Sequence, residues 1–117
     1  MASGGPRRYA PPVERDDRHE LAEARSLALH RVVAERLKGD PAVLDRAKQR
    51  IDEWLRLGQP HPEYALAWRD LLTGPLDALL AVLTDGSERA RSLRQVTPFA
   101  GVVSPRERWA LWRETRP

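Results

Sequence analysis

The stretch DPAVLDRAKQRIDEWLRLG, Asp40 to Gly58, decides the fold. Asp40 is a good N-cap, because its carboxylate accepts from a free amide of the first turn. Pro41 suits the first helical position, where no N–H is needed. From there Val43, Leu44, Ala47, Ile51, Trp54 and Leu55 recur with the 3.6-residue period of one helix face. Asp45, Arg46, Lys48, Gln49, Asp52, Glu53 and Arg56 take the opposite face, and Gly58 supplies the stop. A helix with one apolar side must lay that side on other elements, so the flanking sequence has to supply partners.

Upstream, Leu29, Val33 and Leu37 repeat every four residues with Val32 beside them. They predict a helix capped by Asp16 or Asp17, running to about Lys38 and stopped by Gly39. So short a connection to Pro41 predicts an antiparallel hairpin of the first two helices. Downstream, Gln59-Pro60-His61-Pro62 breaks the chain, and a third helix buries Tyr64, Trp68, Leu71 and Leu72. Gly74-Pro75 separates it from a fourth, with Leu76, Leu79, Leu80 and Leu83 on one side. Asp85 or Ser87 caps a fifth, whose core positions are Ala90, Leu93 and Val96. Phe99, Val102 and Val103 form an apolar loop around Gly101. The last helix starts at Ser104-Pro105-Arg106-Glu107, with the Ser and Glu spaced for a capping box. No strand pattern appears. The expectation is an all-α fold, a small bundle of five to six short helices. Residues 16–117 form its single domain, behind a disordered arm at 1–15 that is rich in Gly, Pro and Arg.

At 117 residues, 41% hydrophobic and 32% charged, the chain has the makings of one folded domain. It carries 20 basic and 17 acidic residues for a net +3, and most basic residues have an acidic neighbour in sequence. A general polyanion binder shows longer unopposed basic runs. All the basic residues but Lys38 and Lys48 are Arg, the composition of a GC-rich, bacterial genome. Cysteine is absent, which excludes disulfides and thiolate metal sites and fits a reducing cytoplasm. No run is long enough to span a membrane, and the N-terminus lacks the apolar core of a secretory signal.

Catalytic chemistry finds little purchase. His19, His30 and His61 stand at no metal-like spacing, and His30, beside the apolar stripe, reads as a structural core histidine. There is no Cys nucleophile, no G-x-S-x-G and no Gly-rich phosphate loop. The expectation is a non-enzymatic protein without metal or cofactor.

The end of the chain is different. Between Asp85 and Pro117 stand seven Arg and only four acids, an excess equal to the whole net charge. Two of the four Trp, Trp109 and Trp112, share a side of the last helix, and Arg108 stands one turn before Trp112, placed to stack on it. Indole beside guanidinium is a usual composition for the centre of a protein–protein contact. The expected partner-binding surface is Arg89, Arg91, Arg94, Phe99, Arg106, Trp109, Trp112 and Arg113. The alternative is DNA binding through a helix-turn-helix formed by helices at about 75–84 and 87–96, with Arg89, Arg91, Arg94 and Gln95 on the second. Ser87, Ser92 and Gln95 stand where such motifs pack apolar side chains. A homodimer is left open.

The segments RSLALHRVVAERL, DPAVLDRAKQRIDEW and TPFAGVVSPRERWALWR resemble a group of small bacterial helical proteins associated with toxin–antitoxin-like gene pairs. The likeness covers about Ser26 to Arg113. It implies an antitoxin-like protein that masks the active site of a toxin enzyme, and it carries over no catalytic residue.

Overall fold

The computed structural model describes residues 10–58 and 61–116. Among these residues six α-helices follow one another: α1 (Ala10–Gly39), α2 (Pro41–Leu57), α3 (Pro62–Thr73), α4 (Leu76–Thr84), α5 (Glu88–Gln95) and α6 (Pro105–Glu114). A single 3₁₀ turn, Ala100–Val102, precedes α6. The fold is all-α, with no strand among the described residues.

The local signals place most boundaries. Asp40 accepts from the amide of Ala42 with Pro41 inside the first turn, and Gly58 closes α2 in the left-handed region at φ 70°. Gly58 alone has positive φ among the described residues. Gly39 therefore ends α1 without a left-handed turn, and the break falls on the extended residue Asp40. Ser87, not Asp85, caps α5 by accepting from Ala90 N at 3.2 Å. Ser104 and Glu107 form the expected capping box.

One boundary differs. α1 begins at Ala10, so Asp16 and Asp17 lie within it rather than capping it. Pro11 and Pro12 fall in its first turn, where the missing N–H groups have no intrahelical acceptor anyway. The expected arm is thus helical from Ala10, and its residues 1–9 lie outside the described residues.

α1 is the common neighbour, touching α2, α4, α5 and α6, while α3 packs on α2 and α4. The core takes Leu29, Val33 and Leu37 from α1, Val43, Ala47 and Ile51 from α2, Trp68 and Leu72 from α3, and Leu79 and Leu83 from α4. Leu76, expected inside, is 44% exposed at the start of α4. Val96, also expected inside, is exposed. Residues 90, 93 and 94 make the i, i+3, i+4 face that α5 turns inward, and position 96 lies well off it.

The apolar loop after α5 closes the core. Phe99 is fully buried, edge-on to Trp68 with ring centroids 5.8 Å apart, and Val103 is buried beside them. The Trp68 indole donates to Leu93 O at 3.1 Å, so its polar edge is satisfied inside. His30 is buried too. Its Nδ1 donates to the Ser26 carbonyl at 2.7 Å, so Nε2 is the acceptor, and the Thr97 hydroxyl donates to it at 2.9 Å. Thr97 in turn accepts from Phe99 N at 3.0 Å. This chain of bonds fixes one tautomer of a neutral imidazole and ties α1 to the loop. Burial, opposed by the Ser26 bond and assisted by the Arg94 charge, lowers the His30 pKa to about 4.

Candidate functional site

α6 is held at both ends. At its start, Glu107 Oε1 accepts from Ser104 N at 3.1 Å, closing the capping box. Its Oε2 pairs with Arg36 of α1, whose other η-nitrogen donates to Val102 O at 2.7 Å. One guanidinium thus joins α1 to the 3₁₀ turn and to α6. The Arg36 bond, helped by the Ser104 amide, pulls the Glu107 pKa down to about 2. Towards the other end, Leu111 and Trp112 pack partly against the core, and the Thr115 hydroxyl closes the helix on Leu111 O.

With α6 so placed, a groove of about 400 Å³ opens between it and α1, lined by Arg25, Pro105, Arg108, Trp109 and Trp112. Trp112 is half-buried, and Trp109 is 67% exposed, the most exposed large apolar side chain among the described residues. The cation over the Trp112 ring is not Arg108, as the spacing suggests, but Arg25 of α1, 5.7 Å from the ring centroid. Arg25 stands 87 residues before Trp112 in the chain, and no sequence spacing reveals the pair. Arg25 Nε and Arg108 Nε are both shielded from water and have no hydrogen-bond acceptor among the described residues. Neither guanidinium is among those paired with a carboxylate.

The expected surface is therefore redrawn. Phe99 is a core residue, and its burial against Trp68 removes it from any contact. Arg94 is only 5% exposed. Its Nη1 donates to Val82 O at 2.8 Å and Asp85 O at 2.7 Å, two carbonyls that the end of α4 leaves without helical partners. Arg94 therefore caps α4. Arg89, Arg91, Arg106 and Arg113 are exposed. Arg91 Nη1 stands 3.5 Å from Glu23 of α1, and Arg91, Gln95 and His19 line a cleft of about 110 Å³ between α5 and α1.

The remaining residues do not form one patch. Arg91 meets α1 at Glu23, and Trp112 meets it at Arg25. His19, Ala22, Glu23 and Ser26 of α1 line the α5 cleft, whereas Arg25 and Arg36 meet the α6 side, so the two helices use different faces of α1. The α6 side keeps Trp109, Trp112, Arg106 and Arg113 and gains Arg25. The α5 side keeps Arg89 and Arg91.

A helix-turn-helix reading loses ground for related reasons. Arg94 is spent inside, and Arg91 and Gln95 look into the cleft beside α1 rather than out from an open recognition face. Among the described residues, no group of His, Asp and Glu could hold a metal ion, and no helix is long and apolar enough to cross a membrane. Searches against family models, curated proteins and solved structures returned no match.

Proposed function

We propose that the chain is a non-enzymatic binding module that grips a partner protein through the α1–α6 face. In the antitoxin-like form implied by its sequence resemblance, the bound module covers the active site of a toxin enzyme. The exposure of Trp109 on an open groove carries the reading. A fully buried large side chain is worth about 1.5–3 kcal/mol of transfer free energy, and an indole left mostly in water forgoes most of it. Trp109 stands between Pro105 and Trp112 with Arg25 and Arg108 at the groove, the mixture from which contact centres are built. Arg106 and Arg113 extend the basic rim along the same helix.

The test is capture from the native host with tagged wild type, Trp109→Glu and Leu57→Glu. Leu57 is 61% exposed on α2 and serves as the control for adding a charge elsewhere. A partner retained by wild type and Leu57→Glu but lost with Trp109→Glu is the expected result. Equal retention by Trp109→Glu refutes the face. For the antitoxin role, co-expression with the captured protein should relieve growth arrest with wild type and not with Trp109→Glu.

A further inference from the structure

We infer that the groove between α1 and α6 takes an acidic segment of the partner protein, with a carboxylate received by Arg25 and Arg108 and an apolar neighbour laid on Trp109. This rests on the preceding reading and names the chemistry of its partner. Three observations converge. First, both arginines line the groove, and neither belongs to an ion pair among the described residues, whereas Arg36 and Arg91 each have a glutamate. Second, Arg25 Nε and Arg108 Nε have no acceptor among the described residues. A shielded donor without a partner is uncommon in a finished fold, because leaving it unmade costs about 1–3 kcal/mol. Both belong to arginines that line this one groove, so the described residues leave its guanidinium groups short of acceptors. Third, Arg25 lies over Trp112. An indole face offers no oxygen acceptor, so this contact leaves the guanidinium N–H donors to a carboxylate, whose two oxygens the planar fork matches better than a lysine would.

Charge complementarity selects a carboxylate-bearing chain, and the surroundings select protein over nucleic acid. A single strand of nucleic acid needs a continuous basic track for successive phosphates. Here Glu107 and Glu114 interrupt α6, and the next arginine on the Arg25 face of α1, Arg36, is already engaged by Glu107. A groove of about 400 Å³ matches the size of pockets that accept side chains and small ligands.

The test follows the indole N–H resonances of the four tryptophans in the full chain, assigned by single substitutions. The probe is a short capped peptide of alternating Glu, Leu and Gly. The controls are the same peptide with Gln for Glu and a single-stranded oligothymidylate. Expected are shifts of the Trp109 and Trp112 resonances with the Glu peptide, a fixed Trp68 resonance, and affinity lowered about tenfold by Arg25→Gln or Arg108→Gln. Arg25→Lys, which keeps the charge and loses the planar fork, should recover less than half of that loss. The inference is overturned if the Gln peptide shifts the two resonances as strongly, if oligothymidylate binds more tightly, or if neither peptide moves them. Should partner capture still depend on Trp109 while the Glu peptide fails, the carboxylate assignment falls and the binding module stands. Should capture be indifferent to Trp109, the module itself falls, whatever the peptide does.

Discussion

Acidification should unfold this protein through His30. In the folded chain the imidazole is neutral, bonded at both nitrogens and almost without water. Its pKa falls from 6.5 to about 4, with burial the main cause. Unfolding restores the ordinary value, so between those two pH values the unfolded state binds the extra proton, and stability must fall as pH falls. Taken at 1.36 kcal/mol per unit, the loss is about 2 kcal/mol at pH 5 and about 3 kcal/mol at pH 4. That is a large share of the 5–15 kcal/mol typical of a domain. Urea unfolding followed by circular dichroism across pH 4–8, for wild type and His30→Gln, isolates the effect. The variant loses the hydrogen bonds at every pH, so it starts less stable, but the gap should close by about 3 kcal/mol on reaching pH 4. His19 and His61 are exposed and present in both proteins, so they cancel. Parallel stability–pH curves for the two proteins would refute the buried, neutral imidazole.

Three further outcomes are expected. Below pH 4.5, loss of the Glu107–Arg36 pair adds a second acid-sensitive step, complete only near pH 2, and Glu107→Gln should abolish it in a urea series extended down to pH 2. Phe99→Ala should cost about 3–5 kcal/mol in urea, whereas Trp109→Ala should change stability by less than about 0.5 kcal/mol, because the first side chain is sealed and the second stands in water. Arg94→Met should lower stability by about 2–3 kcal/mol by orphaning the carbonyls of Val82 and Asp85, yet leave partner capture by folded protein intact. Loss of capture in folded Arg94→Met would restore Arg94 to the contact surface.

The sequence speaks most clearly where the chemistry is local. Asp40-Pro41, Gly58 and the Ser104–Glu107 pair each satisfy backbone groups within a few residues of themselves, so spacing alone places those helix ends. The apolar stripes of α1 to α3 are legible for the same reason, since a helix repeats over a single turn. The site was legible only in its α6 half. Trp109 and Trp112 announce themselves, but Arg25 arrives from α1 and Arg36 reaches 71 residues along the chain to Glu107. Arg94 misleads because charge predicts exposure. The ragged carbonyl end of α4, invisible in the sequence, is what draws it inside. Phe99 misleads in the opposite sense, as a loop residue that the fold uses as its plug.

The four indoles occupy unlike surroundings: Trp68 sealed, Trp54 and Trp112 half-covered, Trp109 in water. Their emission should therefore be a composite, with a red component that iodide quenches and a blue one that it does not reach. The quenchable part belongs chiefly to α6. The protein thus carries its own optical gauge of whatever settles on that helix, and the gauge needs no label.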